Sequence, residues 1–200
     1  MKRILLAFIA ACSGDDAIHG HCLCIDAYIF EDAPGSGQHD APAGPLTLTS
    51  MQLTDGGTFP ALHTCDDPAN SSPELAWTGD DHGAQSYAVA LLDTANNLTH
   101  SIIYDIPVGA HELPAALAKV YAPQDPAGTH QAKSISNMPG YSGPCPPPAD
   151  PAHLYKFTLY ALDVATLPGT DANTTRATLI PLIDAHMVAT ATLTSSYDRN

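Results

Sequence analysis

Positive charge is what this chain has least of. Only 7 of its 200 residues are Lys or Arg, against 21 Asp or Glu, for a formal charge of −14. That balance excludes general binding to a nucleic-acid phosphate backbone, which needs rows of cations. It leaves room for one small anion held in a local pocket. Catalytic signatures are missing as well. The chain has no nucleophile elbow, no P-loop, no HExxH and no dinucleotide-binding glycine pattern. No internal repeat is present, which excludes solenoids and propellers. A membrane-spanning helical run is absent too. The apolar stretch at the N-terminus, Ile4 to Ala11, covers only about eight residues, too short to cross a bilayer as a helix.

Turn formers, by contrast, are plentiful. The chain carries 14 Gly and 18 Pro, which favours many turns and short strands, and a hydrophobic fraction of 44% is enough to fill a core. Two hundred residues suit one domain plus a tail. Lys2 and Arg3 precede the short apolar run, which ends in IAAC. This resembles a bacterial lipoprotein signal, in which residues 1–11 are removed and Cys12 is lipidated. Ser13 after that cysteine then favours outer-membrane over inner-membrane retention. Residues 12–45 read as a flexible acidic linker: Asp15, Asp16, Asp26, Glu31, Asp32 and Asp40 stand among Gly, Ala and Pro. Its HGHCLC stretch sets His19, His21, Cys22 and Cys24 too close together for a well-spaced metal site. No metal or other cofactor is expected.

With Cys12 lipidated, four cysteines remain: Cys22, Cys24, Cys65 and Cys145. Four allow three pairings. Cys22 and Cys24 are only two apart, and a bridge between them would close a strained ring. Cys65–Cys145 is the preferred pair. Closing so long a loop stabilises by about 4 kcal/mol in the chain-entropy model.

From residue 46 to 200 the pattern is β-dominated. LTLTSMQL alternates apolar and polar; SYAVALLD (86–93) is a short apolar run suited to a buried strand; HSIIYDIP (100–107) is β-branched. LYKFTLYALD (154–163) alternates, as does MVATATLTSSY (187–197). An antiparallel β-sandwich follows from these runs. One helix is expected over 174–186, capped by Asn173 or Thr174, with Pro181 kinking or shortening it.

Candidate chemistry gathers at strand ends. Asp93 and His100 flank the segment TANNLT, so pairing of their strands brings both to one sheet end. The proline-rich run YSGPCPPPADPAH stops at His153, which opens another strand. Tyr155 shares its face because side chains alternate. Imidazole and phenol can donate hydrogen bonds, and an acid can hold an imidazole in one tautomer. Such a set suits a small oxyanion.

Four motifs, in order, resemble the phosphatidylethanolamine-binding protein (PEBP) family in its bacterial Raf-kinase-inhibitor-like branch. CDDPANSSPELAW resembles CDGxNxSPPLxW at Cys65, Asp66, Asn70, Ser72, Pro73, Leu75 and Trp77. HSIIYDIP resembles HWVVYNIP at His100, Tyr104, Ile106 and Pro107. GYSGPCPPPADPAHLYKFTLYALD resembles GYGGPCPPPGDPHRYxFTLYALD, and DAHMVATATLTSSY resembles GHVLATAELTGTY. The resemblance implies a β-sandwich with one or two short helices and an anion pocket at one end of the larger sheet. That pocket takes phosphate, acetate or a phosphoethanolamine head group. Carried over, it falls on Asp93, His100, His153 and Tyr155, walled by Gly143, Pro144 and Pro146, with Tyr141 and Asp66 adjacent. Three departures stand out. DTANN replaces DPDxP, so Ala95 takes the place of a second acid and the loop loses its prolines. Ser101 replaces an aromatic beside His100. Ser134 replaces an asparagine.

The resulting expectation is a non-enzymatic, lipid-anchored protein of the cell envelope, on the outer-membrane or periplasmic side. Its partner would be a small anion or phospholipid head group, and not nucleic acid. The alternative is an inhibitor or interaction protein for an envelope peptidase or another extracytoplasmic partner.

Overall fold

The computed structural model describes residues 44–199. The expected signal peptide, lipidated Cys12, almost all of the linker and the HGHCLC cluster lie outside the described residues. Among those described there are nine strands and one α-helix. In chain order they are β1 (Thr47–Thr49), β2 (Gly57–Thr58), β3 (Leu75–Thr78), β4 (Ser86–Asp93), β5 (Leu98–Pro107), β6 (Glu112–Leu113), β7 (His130–Gln131), β8 (His153–Leu162), α1 (Arg176–His186) and β9 (Met187–Tyr197). They form a three-stranded sheet, β1-β3-β6, and a six-stranded sheet, β2-β9-β8-β4-β5-β7. All pairings are antiparallel but one: β2 runs parallel to β9. The expected antiparallel sandwich therefore carries a short parallel edge. It is secured by Asp55, whose Oδ1 accepts from both Thr194 N and Thr194 Oγ1 at 2.8 Å. Gly44, just before the expected start at residue 46, is tied to this fold through its carbonyl, which accepts from Asp80 N at 2.8 Å.

The six-stranded sheet is covered on both faces. One face packs with the small sheet around Trp77, Tyr87, Val89, Leu91, Phe157, Leu159 and Leu193. The other packs Ala88, Ala90, Ile102, Tyr104 and Leu162 under Leu179 and Ile183 of α1. Burial on both faces is why β4 reads as a continuous apolar run rather than an alternating one. In β8, Tyr155, Phe157, Leu159 and Ala161 turn inward while Leu154, Lys156 and Tyr160 are less buried, as the alternation predicts.

The helix differs from expectation at its cap. Its N-cap is Thr175, whose side chain accepts from Thr178 N, and not Asn173 or Thr174. Thr174 is committed to the preceding turn, where its hydroxyl accepts from Asp171 N at 2.7 Å. The helix spans Arg176–His186, two residues fewer than expected at its N-terminal end, and continues past Pro181. That proline faces solvent, while Leu179 and Ile183, four apart, are fully buried beneath it. Each such side chain contributes about 1.5–3 kcal/mol, which offsets the lost hydrogen bond. No helix among the described residues is long and apolar enough to cross a membrane.

Candidate functional site

Three neighbouring strands of the large sheet bring Asp93, His100, His153 and Tyr155 together. Asp93, the last residue of β4, is the direct cross-strand partner of Tyr155 on β8. His153 lies two residues before Tyr155, on the same face, and its Nδ1 donates to Asp93 Oδ2 at 2.8 Å. His100 comes from β5, through an irregularity that no periodicity reveals. Leu91 pairs with Ser101, yet Leu92 pairs with Thr99, so His100 is an extra residue. A bulge of this kind sends two consecutive side chains toward one face. His100 packs edge-on against Tyr155, with ring centroids 5.4 Å apart. Ser101, next to it, lines an inner cavity with Leu91 and Phe157.

The loop between β4 and β5 is shorter than the six residues expected, because Leu98 and Thr99 belong to β5. In place of the missing prolines it uses hydrogen bonds. Asp93 Oδ1 accepts from Ala95 N, Asn96 Oδ1 accepts from Leu98 N, and Thr94 Oγ1 donates to Leu154 O. Short polar side chains holding their own backbone two residues on are ordinary turn chemistry. Ser134 also makes a tight turn: its N and Oγ both contact Met138 O, and the next residue, Ile135, donates its N–H to His100 O.

The proline-rich run forms the facing wall. Cys145 is bridged to Cys65, with Cα atoms 5.3 Å apart. Cys65 N donates to Pro144 O at 3.0 Å. Gly143 fits because nothing larger would. A Cβ there would lie 2.8 Å from Asn70 Oδ1 and nearer still to the His63 carbonyl. Its N–H donates to Asn70 Oδ1, and its carbonyl accepts from His100 Nδ1. Pro144 and Pro146 are buried beside it and have no N–H to offer. Tyr141 has a different role from the expected one. Its hydroxyl donates to His63 O at 2.7 Å, so it braces the 63–71 loop and presents no free donor. Asp66 is likewise engaged, accepting from Tyr197 Oη and Arg199 Nε.

These bonds fix the protonation pattern. A carbonyl oxygen only accepts, so His100 Nδ1 carries a hydrogen and, in the neutral ring, Nε2 carries the lone pair. Burial pulls the His100 pKa below its ordinary value, against the opposing pull of Gly143 O and Asp93. Burial, with the charge of Asp93, pushes the Tyr155 pKa well up, so its phenol keeps its proton. That hydroxyl is buried and meets no partner at ordinary hydrogen-bond distance among the described residues, although Asp93 lies close enough to add to the shift by hydrogen bonding. Asp93, His100 and Tyr155 are almost wholly enclosed. His153, with a side chain 12% exposed, is the part of the set that reaches water.

Two residues outside the expected set join it. Asp150 Oδ2 lies 3.7 Å from His153 Nε2; its position three residues before His153, in a motif already singled out, was the available signal. Asn70 holds Gly143 from a segment more than 70 residues away, and only its place in the first motif hints at this. No cluster of three or more metal-ligating side chains occurs among the described residues.

Comparison with known proteins agrees with this fold. The sequence model of the phosphatidylethanolamine-binding protein family matches residues 49–198. The UPF0098 protein YbcL of Escherichia coli is 28% identical over 166 residues, which is 79% of this chain and 90% of that protein. "Putative lipoprotein LppC" of Mycobacterium tuberculosis is 31% identical over 164 residues, 80% of this chain and 77% of that protein. The crystal structure of E. coli YbcL, described as a new member of the mammalian PEBP family, aligns at a TM-score of 0.70 and 26% identity. That alignment spans 78% of this chain and all of YbcL.

Proposed function

Since the chain belongs to the phosphatidylethanolamine-binding protein family, we propose that its Asp93–His100–His153–Tyr155 rim binds a small anion, phosphate or a phosphoethanolamine-like head group. In this reading the protein acts by binding and not by catalysis, and it is held at the cell envelope through lipid on Cys12. The observation that carries the reading is the Tyr155 hydroxyl. It is buried, keeps its proton and meets no partner at ordinary hydrogen-bond distance among the described residues, Asp93 being the acceptor that comes nearest to it; a buried donor left so poorly paired costs about 1–3 kcal/mol. An oxyanion oxygen would relieve that cost. The binding role is supported by the chemistry of the set: Tyr155 is held protonated, which suits a donor and not a nucleophile. The envelope placement rests on the IAAC–Cys12 pattern and on similarity to a relative named as a lipoprotein.

Calorimetric titration of phosphate and phosphoethanolamine into the full chain tests the site. Heat and a rise in melting temperature are expected for the wild type, and neither for a His100→Ala/His153→Ala double variant. Equal behaviour of the two proteins would refute the site. Cys12→Ala should move the expressed protein from the membrane fraction to the soluble fraction; unchanged partitioning would refute the anchor.

A further inference from the structure

We infer that this rim accepts its oxyanion in a singly charged, proton-bearing form, such as the monoanion of phosphate or of a phosphomonoester, and rejects fully ionised oxyanions such as sulfate. The inference rests on the proposed anion site and deepens it.

The count of donors and acceptors carries it. The Tyr155 hydroxyl, without a partner at ordinary hydrogen-bond distance among the described residues, is the donor the set can offer, and the Asp93 carboxylate beside it is the group that competes for its hydrogen. His100 spends its Nδ1–H on Gly143 O, which leaves Nε2 as an acceptor. His153 spends its Nδ1–H on Asp93 Oδ2. Its Nε2 becomes a donor only in the imidazolium form, and the Asp150 carboxylate then competes for that hydrogen from 3.7 Å. Asp93 is an acceptor at both oxygens, already taking Ala95 N and His153 Nδ1. An oxyanion without a proton would therefore set its own lone pairs against a carboxylate and an imidazole lone pair. One that carries a P–OH can donate to them while its remaining oxygens accept from Tyr155.

The charge count points the same way. Two carboxylates, Asp93 and Asp150, stand beside the two imidazoles, and Arg176 is the cation whose charge reaches His100. Of the two cations nearby, one is bonded to a neutral carbonyl and keeps its charge, and the other is paired with a carboxylate. Arg176 of α1 donates to Lys133 O, and its charge acts against protonation of His100. Arg199 pairs with Asp66. The other phenols about the rim, Tyr141 and Tyr197, donate to His63 O and to Asp66. A dianion entering this space meets like charge, which is costly in a water-poor site. A monoanion meets less, and its proton has a place to go. If the ligand also carries an ammonium group, as phosphoethanolamine does, the half-exposed Asp150 stands at the solvent side to receive it.

The test is calorimetry on the full chain with inorganic phosphate, phosphoethanolamine and sulfate, at pH 5.5 and 8.0 and constant ionic strength. A phosphomonoester loses its second proton near pH 6, at about that value. Phosphoethanolamine should therefore bind at pH 5.5 and weaken by more than about tenfold at pH 8.0. Phosphate should follow in the same direction. Sulfate should bind at least about tenfold more weakly than phosphate at pH 5.5, where phosphate carries a proton that it can donate and sulfate does not. Asp150→Asn, a change at an exposed position, and Asp93→Asn, which puts an amide donor beside the anion, should each narrow the phosphate-to-sulfate ratio. Sulfate binding within about twofold of phosphate at pH 5.5 would overturn the inference and leave the anion site standing. An unchanged ratio in both variants would overturn it too. Absence of binding by all three ligands would overturn it together with the site.

Discussion

Replacing Gly143 by Ala should strike fold and site together, and the structure lets the loss be estimated. The added Cβ meets Asn70 Oδ1 at 2.8 Å and the His63 carbonyl more closely still. Neither can retreat cheaply. His63 is buried, its ring nitrogen bonds Ser71 O, and its carbonyl already accepts from Tyr141. Crowding of this kind costs about 1–3 kcal/mol. If the chain shifts to relieve it, the Gly143 N to Asn70 bond and the His100 to Gly143 O bond are lost, at about 1 kcal/mol each. The smaller entropy of an unfolded alanine returns about 0.4–1 kcal/mol. A net loss of about 2–4 kcal/mol follows from these principles. Urea unfolding without reductant, read by the chain's one tryptophan, buried Trp77, measures it directly. Asn70→Ala, which removes a hydrogen bond without adding volume, should cost about 1–2 kcal/mol in the same assay. A Gly143→Ala loss below about 0.5 kcal/mol, or one smaller than that of Asn70→Ala, would show that steric crowding is not what demands glycine here.

Replacing Cys65 and Cys145 by Ser should lower stability by about 4 kcal/mol, since the bridge closes a loop with a sequence separation of 80; a peptide map without reductant should show the linked pair, and free thiols at both positions would refute it. His100 gives a signed pH dependence. Its folded pKa lies below the ordinary value because of burial, so the unfolded chain binds the extra proton first. Its contribution is full above the ordinary imidazole pKa of about 6.5 and declines as pH falls below it. Denaturation from pH 7.5 to 5 should show that decline in the wild type and a flatter profile in His100→Gln; parallel profiles would refute the assignment. Asp55 and Asp81, whose pKa values are lowered by hydrogen bonds from Thr194 and Tyr87, act in a separate window, near and below pH 4. Thr175→Ala should cost about 1 kcal/mol through loss of the helix cap, while Thr174→Ala should leave helix content unchanged; the reverse order by circular dichroism would restore the cap first expected.

The core strands were legible in the chain because burial writes a period into it. LYKFTLYAL alternates because only one face of β8 turns inward, and SYAVALLD does not because β4 is covered on both. Residues Asp93, His153 and Tyr155 were legible for the same reason, since a strand of period two forces 153 and 155 to one face. The helix cap was misplaced by one residue because Thr174 and Thr175 have the same cap chemistry. Their difference lies in the turn from Asp171, which claims one of them. Pro181 stands inside the helix because the packing of Leu179 and Ile183 against the sheet, which local sequence does not show, offsets its local penalty.

What the sequence determined alone was the alternation that makes the sandwich, the chemical identity of the rim and the preference for Cys65–Cys145. What only tertiary structure decided was direction and occupancy. A register shift against β4 places both His100 and Ser101 on the inner face. Tyr141 spends its hydroxyl on His63, while Tyr155 keeps its own unspent. Hydrogen bonds to Gly143 O and Asp93 choose which nitrogen of each imidazole carries the proton. The physical reason is common to the last two. Which residues can face a core is a property of local period, but which donor meets which acceptor depends on segments 43 to 78 residues apart closing on each other.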